Sequence, residues 1–356
     1  MKTDNYKQYL IGTVRLYNNK QKNYVRKKLV EKQIATDGLA QIDVFGNYPT
    51  VDVSDLELEE QVVRCLNESS EAVRLFETWE YEKDYRYSAV FTTSDYQMLL
   101  QKLDQVQELP ENQDESPFTV LYDDKAMMPL RRNIDGQTII KFSFAFSAVH
   151  PQTQNELLCK YPVLVVLHEQ YELIEIRFDT LKQFFEPNRD FYLSLVRSVV
   201  GHFKTSVGVT LEPLDMSFMK DAINDEVMLV AEHMNLVSGG KAVLEVGDNE
   251  DCVLPFIGEL RSLIQDHRTE LESVPSLRDA LEQFIYEKSE MSEYPWIELK
   301  WNDEIKTRSM RVKFTFNYAN SGFGMIQHYQ NPVLVGRGRM DRVVKHIGEN
   351  RSRDRE

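Results

Sequence analysis

Glu298, Leu299 and Lys300 stand in a stretch, Trp296 to Trp301, whose pattern predicts a strand, so the carboxylate and the ammonium fall on one face. That pairing suits a metal-dependent nuclease, in which the carboxylate holds Mg²⁺ and the lysine helps to activate a water. Such a site needs a further acid on an adjacent strand. The nearest upstream acids, Glu282, Glu287, Glu290 and Glu293, lie in or after a helical stretch, while Asp248 and Asp251 are far away in sequence. Mg²⁺ is expected only if this chemistry holds; otherwise no cofactor and no bound metal are expected.

A second set of residues is suited to phosphates. Arg26, Lys27 and Lys28 are interleaved with Tyr17 and Tyr24, and Arg308, Arg311, Lys313, Arg337, Arg339, Arg342 and Lys345 accompany Tyr318, Phe323 and Tyr329. Several cations on one surface neutralise backbone phosphates, and aromatic rings beside them stack on unpaired bases. For Arg342 and Lys345 the plainer reading is the polar side of a terminal helix that carries Val343, Val344 and Ile347.

Other constellations do not complete themselves. Gly240-Lys241 lacks the earlier glycine and the following hydroxyl of a phosphate-cradling loop, and His168-Glu169 lacks the second histidine of a zinc-protease helix. Gly336 and Gly338 lack the third glycine of a dinucleotide site and read as a flexible basic turn. Cys159 could approach His150 in an antiparallel pair, yet no oxyanion donor or third group can be named, so a buried thiol is expected. Cys65, Cys159 and Cys252 are far apart and odd in number, which argues against a disulfide framework or a thiolate zinc site.

The charge is unevenly distributed. The 356 residues carry 42 Lys+Arg and 57 Asp+Glu, a net −15, which alone would argue against a polyanion partner. Residues 1–35 nevertheless hold nine bases and two acids, and residues 300–356 hold twelve bases and six acids. Basic ends flank an acidic body. Either the ends pair with that body, in this chain or in a second copy, or they form a patch for phosphates.

The elements that must position these residues follow from pattern. Residues 9–17 predict a strand and 21–33 a basic helix. Ser54 to Glu57 reads as a capping box that starts a helix near Asp55, a second helix follows Ser69-Ser70, and a third follows Ser94 to Gln97. Between the last two, residues 86–92 read as a strand. Ile140, Phe142, Phe144 and Phe146 alternate with Lys141, Ser143, Ala145 and Ser147, as a half-buried strand requires, with Asp135-Gly136 as the turn before it and further strands over 158–167 and 171–178. Helices are expected over 190–210, 214–237, 254–271 and 276–288, a short strand over 242–246, and strands over 296–301 and 310–318. The stretches at 141–148 and 313–320 look alike, a likeness that amphipathic alternation alone produces.

The expected fold class is α+β, an antiparallel β-meander covered by helices with a smaller mixed N-terminal domain. The polar run 108–116 is the expected linker between residues 1–107 and 117–350, with 351–356 a frayed tail. The expected function is non-enzymatic: binding of DNA or RNA, or organisation of a complex, through the basic segments. Its alternatives are a protein–protein scaffold or homo-oligomer, and the nuclease at Glu298 and Lys300. A cytoplasmic location without membrane contact is expected, since the first residues lack an apolar leader core and no apolar run is long enough to span a bilayer.

Overall fold

The computed structural model describes residues 3–36, 50–105, 121–122, 126–149, 154–181, 185, 190–220, 229–237, 241–245, 260, 263–290, 296–301, 310–329 and 336–354. In chain order its main helices are α1 (Thr3–Leu16), α2 (Asn19–Glu31), α3 (Leu58–Glu68), α4 (Ser70–Glu82), α5 (Tyr96–Gln105), α6 (Phe191–His202), α7 (Arg268–Glu272), α8 (Pro275–Glu290) and α9 (Arg337–Asp354). The strands are β1 (Ala35–Thr36), β2 (Val51–Asp52), β3 (Tyr87–Thr92), β4 (Leu121–Tyr122), β5 (Ala126–Ile134), β6 (Gln137–Val149), β7 (Glu156–His168), β8 (Leu173–Phe178), β9 (Glu212–Pro213), β10 (Leu229–Val237), β11 (Lys241–Glu245), β12 (Trp296–Trp301), β13 (Met310–Thr315) and β14 (Met325–His328). The fold class is α+β. Its contacts divide the chain into two compact units, Met1–Tyr85 with Thr92–Leu211, and Arg86–Phe91 with Glu212–Glu356. The linker expected at 108–116 lies outside the described residues, and the helices of residues 1–85 share a unit with the meander.

In the first unit, β4 to β8 form an antiparallel meander in sequence order. Asp135 and Gly136 both have positive φ, which gives the two-residue β5–β6 hairpin the twist its strands need. Phe142 and Phe146 on one face of β6 pack against Phe203 and Phe191. The opposite face is not solvated as the alternation implied: Lys141 and Ser143 are both buried, because β6 is covered on both sides. α1 lies on β7, where the Thr13 hydroxyl donates to the Lys160 carbonyl at 2.7 Å and accepts from its amide at 2.9 Å.

Two expectations for residues 1–70 need correction. Residues 9–17 belong to a helix, not a strand, since Tyr6, Leu10 and Val14 bury one face at helical spacing. Asn18 then caps α2, accepting from the Gln21 amide while the Gln21 side chain accepts from the Asn18 amide. The helix expected near Asp55 begins at Leu58, and its cap residue Glu57 makes no side-chain cap bond. Ser54 is engaged elsewhere: its hydroxyl donates to Asp52 at 2.7 Å. Ser69 does cap α4, accepting from the Ala72 amide, whereas α5 is capped by Asp95, which accepts from the Met98 amide, and not by Ser94 as the capping-box pattern implied.

In the second unit the strand order is β11-β10-β12-β13-β14-β3, antiparallel, with β9 on β3. Of the helix expected over 214–237, the described residues instead form a short 3₁₀ turn, Ser217–Lys220, and β10, whose backbone pairs with strands on both sides, while 221–228 lie outside the described residues. Gly336, with φ +84, precedes α9, while Gly338 lies inside its first turn, so residues 336–340 are a helix start and not a flexible turn. α9 also runs through Arg351 to Asp354, where fraying was expected. No helix among the described residues is long and apolar enough to cross a membrane.

Candidate functional site

The sheet of the second unit has two chemically distinct faces. Ile297, Leu299 and Trp301 on β12, Met310, Val312 and Phe314 on β13, and Ile326 on β14 are buried on one face. His346 of α9 stacks on Trp301 with ring centroids 5.0 Å apart, and Met340, Val343, Val344 and Ile347 line the buried side of that helix.

The other face is built by the intervening residues. Register places Glu298 opposite Lys313, Lys313 opposite Gln327, and Gln327 opposite Tyr87, in one row across four strands. A second row holds Lys300 and Arg311, and Tyr329 extends it by donating its amide to the Arg311 carbonyl at 3.1 Å. A third holds Trp296 and Thr315 and ends at the buried Met325. Residues paired across an antiparallel ladder project to the same side, so strand alternation gathers these cations and rings. Trp296, Lys300, Arg311, Lys313, Gln327, Tyr329 and Tyr87 are all half-buried.

Glu298 organises the middle of this face. Its carboxylate accepts from Arg311 at 2.8 Å and from the Tyr329 hydroxyl. Burial pushes the Tyr329 phenol up to about 12, and the bond to Glu298 adds to that shift. The guanidinium carbons of Arg86 and Arg311 each lie 5.0 Å from the Tyr329 ring centroid, and Arg86 donates to the His328 carbonyl at 2.8 Å. Arg339 reaches the same residue, donating to the Tyr329 carbonyl. Lys313 Nζ sits 3.8 Å from the centre of the Trp296 ring, and partial burial there lowers the Lys313 pKa.

The residues singled out from sequence fare differently. Glu298 and Lys300 do share a strand face, but the positions opposite Glu298 are His233 and Lys313, and those opposite Lys300 are Val230 and Arg311. None of these is an acid. Arg311 and Lys313 lie on the mixed face, whereas Arg339 is buried and committed to backbone. Arg337 faces Asp341 at 3.6 Å, and Lys345 faces Glu349 at 3.8 Å, while Arg342 is exposed on α9. Arg308 lies outside the described residues. Arg26, Lys27 and Lys28 belong to the first unit: Arg26 donates to Gln61 at 3.1 Å, Lys28 pairs with Glu31 at 2.7 Å, and Lys27 is exposed. Trp296 was not singled out by composition. Its link to Lys313 comes from register, which only the strand pairing supplies.

The first unit holds a cluster that sequence reasoning missed. Lys141 from β6 and Lys160 from β7 meet Glu77 and Glu80 from α4, with all four residues buried. Lys160 reaches Glu80 at 2.6 Å, Lys141 reaches Glu80 at 2.9 Å, both lysines bond Glu77, and Tyr6 donates to Glu77. Burial alone would raise the Glu77 carboxyl, but the two ammonium groups outweigh it and hold the group well below the usual range. Nearby, Glu175 accepts from Arg177 at 2.7 Å and lies 3.0 Å from the His168 Nε2. The first network is enclosed and ties α4 to β6 and β7, and the second ties β7 to β8. Cys159, beside Lys160, is also buried, and its thiol is pushed up to about 12; His150 lies outside the described residues. Among the described residues no group of three or more His, Cys, Asp or Glu is placed to hold a metal ion.

No protein-family model matches this chain, and no curated protein matches it.

Proposed function

We propose that the chain is a non-enzymatic nucleic-acid-binding protein that meets phosphates with the mixed face of the β12–β13–β14 sheet. The observation carrying this reading is the alignment of Lys300, Arg311 and Lys313 beside Trp296 and Tyr329 on one sheet face, with Glu298 as the carboxylate between them. A polyanion releases counterions when several cations engage it, so a compact basic face gives binding even to a protein of net negative charge. The acidic remainder limits indiscriminate association.

The test is binding of labelled DNA and RNA across a salt series. Affinity should fall steeply as salt rises, and Lys300→Ala with Lys313→Ala should reduce the log–log slope by about 1 per lost phosphate contact. No retention of either polymer at low salt would remove the reading.

A second reading, a protein-docking or self-associating subunit, is favoured by Leu263, Val274, Leu277 and Phe284, which are exposed in the helical segment 263–290. Exposed large apolar residues gathered in one helical segment are the kind of feature that interaction surfaces use. Sedimentation without nucleic acid should then show an oligomer that Leu277→Asp dissociates, and a monomer at every concentration would exclude self-association.

A further inference from the structure

We infer that the ligand of the mixed face is single-stranded, with Trp296 as a base-stacking platform that Lys313 covers until a phosphate draws the lysine away; this rests on the nucleic-acid reading above. Two observations lead there. The first is the geometry of the rings. Trp296 and Tyr329 lie two strands apart and four residues apart along the ladder, roughly 17 Å by ordinary sheet spacing. Lys313 and Arg311 stand between them. Rings set half-buried into a broad sheet face do not reach bases paired inside a duplex, but they can receive the exposed bases of a single strand lying across the sheet.

The second observation is the Lys313–Trp296 contact itself. The ammonium lies over the indole, an arrangement that shields apolar ring surface while the cation remains attracted to the ring. Lys313 is also directly opposite Glu298 in the ladder, yet that carboxylate is engaged by Arg311 and Tyr329. A phosphate offers Lys313 a charge-assisted bond stronger than a ring contact, and the flexible four-carbon stem lets the ammonium move to it. The uncovered indole then accepts a base. At the other end of the run, Arg86 and Arg311 beside Tyr329 present planar guanidinium groups, which also stack on bases.

The protein supplies its own probe. It has three tryptophans; Trp79 and Trp301 are 7% and 3% exposed, whereas Trp296 is half-buried. Titrating the full chain with short oligo(dT) or oligo(U) should quench tryptophan emission, and Trp296→Phe should bind similarly without the quench. Trp296→Ala should weaken single-strand binding roughly tenfold, the typical loss for one stacked base, and weaken duplex binding less than that. Circular dichroism and thermal melting of both variants separate this loss from misfolding, and the Phe variant keeps the test valid if the Ala variant is unstable. Equal or tighter binding of a blunt duplex, or competition by poly-glutamate as strong as that by oligo(dT), would overturn the stacking inference while leaving a charge-driven face intact. Failure of every nucleic acid to bind at low salt would take down both.

Discussion

Lys141 Nζ and the Glu80 carboxylate meet at 2.9 Å in the interior of the first unit, with side chains 1% and 0% exposed. With Glu77 and Lys160 they make a compensated quartet in which each charge is paired. Removing one partner from such a set leaves an uncompensated buried charge, which costs about 3–5 kcal/mol. Lys141→Met should therefore unfold at markedly lower denaturant. Lys141→Met combined with Glu77→Leu should cost less than the two single changes added, and strict additivity in chemical denaturation would contradict the coupling.

The quartet and the separate Glu175 network together set a pH dependence. Glu77 and Glu175 are both held below the usual carboxyl value of 4.5, so the unfolded chain binds more protons than the folded one in the acid range. Their contribution is complete above the unfolded value and is lost as pH falls through the folded one. Thermal midpoints should stay level down to about pH 5 and decline below 4.5, less steeply in Glu77→Gln. A midpoint unchanged between pH 5 and 3 would exclude this linkage.

Glu298 restrains Arg311 and accepts from Tyr329 while opposing any incoming phosphate. Glu298→Gln keeps an acceptor and removes the charge. Oligonucleotide affinity should rise a few-fold at low salt, with the difference narrowing as salt screens it. Weaker binding of this variant would count against the mixed face as the contact surface. The nuclease alternative makes the opposite demand: Mg²⁺-dependent cleavage that is abolished by both Glu298→Gln and Lys300→Ala.

Gly12 and Gly201 offer a matched pair of backbone tests. A Cβ at Gly12 would collide with the Leu158 carbonyl oxygen where α1 lies against β7, so Gly12→Ala should destabilise by about 1–3 kcal/mol. A Cβ at Gly201 meets nothing within 4 Å inside α6, so Gly201→Ala should stabilise by up to ~1 kcal/mol. Equal melting shifts in the two variants would show that the close approach of α1 to β7 is not maintained.

Local chemistry made much of the fold legible. Asp135-Gly136 required a tight hairpin turn because both residues tolerate positive φ, Ser69 marked a helix start through its short acceptor, and the alternation in β6 and β13 announced strands. The α+β class and the shared face of Glu298 and Lys300 followed from sequence alone. Where tertiary packing competes with propensity, pattern was insufficient. Residues 9–17 read as a strand until α1 found β7 to cover, and residues 229–237 became β10 because neighbouring strands satisfy their backbone.

The partners of charged residues were decided only by the assembled chain. Lys141 and Lys313 occupy look-alike strands, and nothing local separates them. Lys141 is enclosed because α4 lays Glu77 and Glu80 over it, whereas Lys313 stays at a half-open face beside Trp296. Sequence sets which side of a strand a residue occupies, since that depends on period alone. What lies across from it depends on register and on which helix covers the sheet, and those are properties of long-range packing.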